Sequence, residues 1–146
     1  MSTTYISAQL RRLVAQRANL LCEYCLIHDD DTYWGCQIDH IVSEKHGGAT
    51  TAENLAHACP FCNRNKGSDV GSFTQDGQLV RLFNPRIDWW TDHFRLDGVA
   101  IIPQSDIGEV TARIFGFNQV DRLLERQELQ ALGRYPTPEA FTILEQ

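Results

Sequence analysis

The chain has 146 residues, 42% of them hydrophobic, and carries 13 Lys+Arg against 19 Asp+Glu for a net charge of −6. That length fits a single domain with one main core. With no run of about 18 apolar residues and no apolar centre in the opening MSTTYISAQLRR, a soluble, cytoplasmic protein with no membrane contact is expected. The negative total excludes a grip on nucleic acid through bulk positive charge, but from Lys45 to Lys66 the balance is three basic residues (Lys45, Arg64, Lys66) to one acidic (Glu53), which suits a local phosphate-binding cleft.

Residues 7–21 place Leu10, Leu13, Val14, Ala18 and Leu21 at helical spacing behind Ser7, a suitable N-cap. An amphipathic helix is predicted, with Arg11, Arg12 and Arg17 on its solvated side. Cys22-Glu23-Tyr24-Cys25 then forms a turn whose two thiolates can share one metal, and the acidic run from His28 to Asp31 reads as a solvated loop. Trp34, Cys36 and Ile38 alternate within residues 32–42, which predicts a strand running into Asp39 and His40. Gly47-Gly48 marks a turn, residues 55–58 a returning strand, and Pro60 opens a helix that Gly67 can close. Further on, Asp76-Gly77 marks a turn, and residues 79–83 and 99–102 read as short strands. Residues 106–118 and 119–132 read as helices, the second expected to bury Val120, Leu123, Leu124, Ala131 and Leu132. Trp89, Trp90 and Phe94 read as a packing patch, and the tail with Pro136 and Pro138 as loosely held.

Four of the five cysteines fall as two C-x-x-C pairs, which in a reducing compartment argues for metal ligation over disulfides. Cys22, Cys25, Cys59 and Cys62 can close a tetrahedral site, as structural zinc requires. Cys36 is left over and reads as a small buried hydrophobe rather than a ligand. Between the pairs lie the side chains that phosphodiester hydrolysis asks for: a group to activate water, ligands for a cation, and help for the phosphate. His40 offers an imidazole, the side chain best suited to a general base. Asp39 and Asn63 offer hard oxygen ligands for Mg2+ or another divalent cation. Asn54 can both donate and accept, which suits it to pinning the intervening loop, while Lys66 and Arg64 are candidates for the substrate phosphate. His46 and His57 read as surface or packing histidines. Neighbouring side chains on a strand point to opposite faces, so Asp39 and His40 can share one site only where the strand twists, bulges or ends.

Cys22-Glu23-Tyr24-Cys25, Asp39-His40, Gly47-Gly48, Asn54-Leu55, Cys59-Pro60-Phe61-Cys62-Asn63 and Lys66-Gly67 together resemble the HNH endonuclease family over residues 22–68. The resemblance implies an α+β fold in one domain, residues 1–146, with a zinc-framed ββα-metal core over 22–68. An N-terminal helix precedes that core, and a mixed α/β extension over 69–146 packs on it. It implies an endonuclease that cleaves or nicks double-stranded DNA, with His40 as general base, Asp39 and Asn63 holding a divalent cation, and Asn54 orienting the loop. Asn63 stands where the family name has its final His, an HNN variant. Leu82-Phe83-Asn84-Pro85-Arg86, Trp90 and His93-Phe94 resemble an extension found in bacterial, particularly cyanobacterial-type, members, although Glu109 stands where a basic residue is expected. Two alternatives stay open: RNA as the substrate, and a catalytically silent zinc-stabilised module for binding nucleic acid or protein, the net charge favouring protein.

Overall fold

A computed structural model of the chain describes residues 4–146. The first helix, α1, spans Ala8–Arg17, and the Ser7 hydroxyl accepts from the Leu10 N–H, satisfying one of the amides that a helix start leaves unpaired. It stops before residue 21 because Asn19 and Leu20 take left-handed backbone (φ 52° and 62°). Val14, Ala18 and Leu21 are buried as the spacing predicts, whereas Leu13 faces water. Arg17, exposed as predicted, also donates to the carbonyls of Ala52 and Leu55 and ties the helix to the start of the second strand.

Two strands follow. β1 (Gln37–His40) pairs antiparallel with β2 (Leu55–Ala58), in a register of Ile38 with His57 and His40 with Leu55. The first strand is shorter than predicted because Trp34 and Gly35 are left-handed (φ 70° and 74°), which breaks the extended run. Trp34 is 87% exposed in consequence. Helix α2 (Pro60–Lys66) starts immediately after β2, with Pro60 in its first turn and the Cys59 sulfur accepting from the Cys62 N–H. Strand, strand and helix thus put both cysteine pairs at one end of a ββα unit.

The rest of the chain covers that unit. β3 (Gly71–Phe73) and β4 (Leu79–Arg81) form one hairpin, with the Asp76-Gly77 turn between them. After α3 (Trp90–His93), β5 (Phe94–Asp97) and β6 (Ala100–Pro103) form another. Helix α4 (Asp106–Phe115) packs so closely on the end of α3, where the second hairpin begins, that a Cβ on Gly108 would lie 2.2 Å from the His93 carbonyl oxygen. Helices α5 (Val120–Ala131) and α6 (Phe141–Leu144) complete an α+β architecture with three two-stranded sheets among the described residues. One apolar cluster runs from the cysteine turns through Ile41, Phe83, Trp90 and Phe94 to Phe115, Phe117 and Tyr135. Its rings pack directly, Tyr24 on Phe115 at 4.6 Å between centroids and Phe94 on Phe117 at 5.6 Å.

Three expectations need correction. The tail is held: Tyr135 is buried and its hydroxyl donates to the Cys25 carbonyl at 2.8 Å, and Thr137 and Ala140 are buried beyond it. Trp90 and Phe94 enter the core, but Trp89 is 61% exposed. Helix α5 is turned away from the face its apolar residues predict: Leu123 packs against the core, but Val120, Leu124, Ala131 and Leu132 are exposed while Arg122 and Arg126 are buried, where their guanidinium groups satisfy the sulfur and carbonyl acceptors the helix lies against. Among the described residues no helix is long and apolar enough to cross a membrane.

Candidate metal centre and catalytic site

Cys22, Cys25, Cys59 and Cys62 are at most 1% exposed, and their sulfurs all lie within 4.8 Å of one another. Cys25 and Cys59 are 3.7 Å apart, close to the edge of about 3.8 Å of a tetrahedron with Zn–S distances of about 2.3 Å. The turns themselves support thiolates: the Cys25 N–H faces the Cys22 sulfur at 3.5 Å, and the Cys62 N–H faces that of Cys59 at 3.4 Å. Donor type, spacing and burial all fit a closed zinc site.

Arg122, absent from the sequence-based site, caps this cluster. Its guanidinium is 3.3 Å from the Cys25 sulfur, 3.7 Å from Cys59 and 3.9 Å from Cys62, and it stacks over Phe61 at 5.0 Å. Burial works to lower its pKa, but the thiolates overcome that and raise it, so the side chain is held as a cation. Glu125 lies 3.5 Å behind it. The only local trace in the sequence is the pairing of Arg122 with Arg126 four residues on, which puts both on one helix face.

The polar residues between the cysteine pairs take separate sets of partners. Asp39 turns inward: it is 4% exposed, accepting from the Tyr24 hydroxyl at 2.7 Å and from the Lys66 ammonium at 3.1 Å. Burial pushes its pKa above the ordinary carboxylate range, against the pull of Lys66 and Tyr24. Asn63, in the first turn of α2, donates to the Gln37 side chain at 2.7 Å. Gln37 is two residues from Asp39, so Asn63 lies on the Asp39 side of the strand. A carboxylate and an amide oxygen on one face suit a hard cation by type, and the Lys66 ammonium is the competitor for the carboxylate. His40 instead sets its Nε2 2.9 Å from the Thr50 hydroxyl and 3.9 Å from Glu44. The strand ends at His40, one of the conditions for the two side chains to share a site, and here they take separate partners.

Lys66 is 2% exposed and donates to Asp39 and to the His40 carbonyl at 2.9 Å, so it is an internal strut rather than a surface contact for phosphate. Arg64 is exposed, stacked over Phe61 at 5.1 Å. Asn54 pins the loop after His40: its Oδ1 accepts from the Val42 N–H at 2.9 Å, and its Nδ2 donates to the Val42 and Ala49 carbonyls at 2.8 Å each. The same closure explains Gly48, where a Cβ would lie 1.7 Å from the Val42 carbonyl oxygen. His46 is exposed, His57 is buried and Cys36 is half-buried.

Comparison with known proteins gives the same region. Residues 22–69 match the family model of the HNH endonuclease. Over 117 residues the chain is 22% identical to the Septu protein PtuB of Bacillus thuringiensis, an alignment covering 79% of this chain and 43% of that protein. The chain therefore spans less than half the length of this relative. No solved structure matches.

Proposed function

We propose that the protein is a metal-dependent endonuclease that cleaves or nicks double-stranded DNA, its core framed by zinc on Cys22, Cys25, Cys59 and Cys62, a reading supported by the match of residues 22–69 to the HNH endonuclease model. The observation that carries this reading is His40 at the end of β1, its imidazole steadied by Thr50 and the loop behind it closed by the three hydrogen bonds of Asn54. The His40 imidazole takes the proton from an attacking water. Arg64 meets a phosphate oxygen from the exposed side of α2. Asp39 and Asn63 are the residues that would hold a divalent cation, which when bound offsets charge on the phosphate.

The locked state of Asp39 favours a second reading, a catalytically silent zinc-stabilised module, for which the net charge of −6 points to a protein partner. Nicking of supercoiled plasmid with Mg2+, Mn2+ or Ni2+ separates the two. The nuclease reading expects nicking that is lost in His40→Ala, with RNA tested in parallel. Wild type and His40→Ala behaving alike with every metal would leave the module.

A further inference from the structure

A second group of metal-ligating side chains lies outside the four-cysteine cluster. The ligand atoms of Asp29, Cys36 and His57 all lie within 4.8 Å of one another, with Asp29 Oδ1 3.7 Å from His57 Nε2. Around a zinc-sized ion, N, O and S ligands sit about 3.3–3.6 Å apart, so the group is already near ligating separation.

Each ligand is fixed by the surrounding backbone. His57 Nδ1 lies 2.8 Å from the Leu21 carbonyl oxygen, an acceptor only, so this nitrogen carries the proton. That leaves the Nε2 lone pair of the neutral ring facing Asp29, an arrangement that prepares histidine as a ligand. The His57 backbone is itself held, its N–H donating to the Glu23 carboxylate at 2.9 Å and its carbonyl accepting from the Glu23 N–H at 2.8 Å. The Asp29 N–H donates to the Leu20 carbonyl at 2.7 Å. Cys36 is brought back over Asp29 by the left-handed pair Trp34 and Gly35, and its N–H donates to Asp29 Oδ1 at 2.7 Å.

We propose that Asp29, Cys36 and His57 form a second transition-metal site, with zinc-like preference and an open fourth position. One carboxylate and one thiolate balance the charge of a divalent ion. Asp29 and Cys36 are half-buried rather than sealed, so this ion exchanges with solvent while the ion of the four-cysteine cluster does not. The site reassigns Cys36 from a packing residue to a ligand and His57 from a packing histidine to its partner.

The test titrates full-length protein that holds one zinc per chain, stripped of exchangeable metal, with Co2+ under reducing conditions. A single-thiolate charge-transfer band is expected to saturate at one equivalent, reverse on adding Zn2+, and be absent in Cys36→Ser. Oxygen ligands at Asp39 and Asn63 give no such band, so a nuclease cation is not mistaken for this site. Asp29→Asn keeps the acceptor for the Cys36 N–H, and therefore the fold, and is expected to weaken Co2+ binding by about tenfold or more. No band in wild type overturns the proposal. So does a band that persists in Cys36→Ser, which means cobalt has entered the four-cysteine cluster, or unchanged affinity in Asp29→Asn.

Discussion

Replacing Arg122 with Met tests whether the cysteine cluster depends on charge supplied from 60 residues downstream. Methionine keeps an unbranched apolar stem in the buried space, so the main loss is the guanidinium: its charge, its contacts to sulfur and its stack over Phe61. With zinc bound, four thiolates leave two excess negative charges, and the three N···S contacts of 3.3–3.9 Å that answer them disappear. Glu125, 3.5 Å away, loses its partner as well. Removing one member of a buried ion pair costs about 3–5 kcal/mol, and Arg122 is too buried for solvent to soften that figure. At about 2–4 °C per kcal/mol for a chain of this size, Tm is expected to fall by about 6–20 °C. Thermal unfolding of the zinc-loaded protein measures this, alongside the rate of zinc release to a chelator, which is expected to rise. Arg122→Lys restores the charge but not the fork of donors, and should fall between wild type and Arg122→Met. A Tm within about 2 °C of wild type together with unchanged zinc release would refute the reasoning.

Asn54→Ala removes three hydrogen bonds around the loop after His40 and is expected to cost about 1–3 kcal/mol. Plasmid nicking should fall much further than Tm, and Gly48→Ala should reproduce the effect by forcing the Val42 carbonyl aside. At Asp88, burial pushes the carboxyl pKa up, but the paired hydrogen bonds from Arg81 and the Asn84 N–H outweigh it and hold the pKa below the ordinary range. A depressed acid pKa stabilises the fold above the unfolded value of about 3.9, and that stabilisation disappears as pH falls through the folded value. Because Arg81 is 46% exposed, Asp88→Asn should cost only about 0.5–1 kcal/mol at neutral pH. Urea unfolding of the two proteins should converge as pH falls through and below the ordinary carboxylate range; a gap of constant size across that fall would disprove the assignment.

The ββα unit was legible because its signals are local. Ser7 caps a helix within three residues of itself, the strand over 55–58 and the helix opening at Pro60 announce themselves by residue type, and paired cysteines declare a metal from spacing alone. What sequence reasoning missed depends on acceptors brought from elsewhere in the chain. Hydropathy sends Arg122, Arg126 and Lys66 to the surface. Burial becomes favourable for them only beside sulfurs, the Val99 and Phe117 carbonyls and the Asp39 carboxylate, none of which is a sequence neighbour. The strands at residues 71–73 and 94–97 were missed for a related reason: they exist as partners of the ones foreseen, and neither alternates strongly by itself. Cys36 and His57, each ordinary in isolation, acquire meaning only when two left-handed residues return the chain to Asp29.

The capping of the cysteine cluster by α5 also sets an order of events during synthesis. Cys62 leaves the ribosome 60 residues ahead of Arg122, an interval of about 3–12 s at 5–20 residues per second. All four thiols are therefore available to capture metal before their counter-cation exists, while the contacts within the ββα unit, such as Lys66 and Tyr24 on Asp39, are already in reach. The arginine arrives as a latch on a preformed centre, so translation speed between residues 62 and 122 becomes a determinant of how much chain matures with its metal in place.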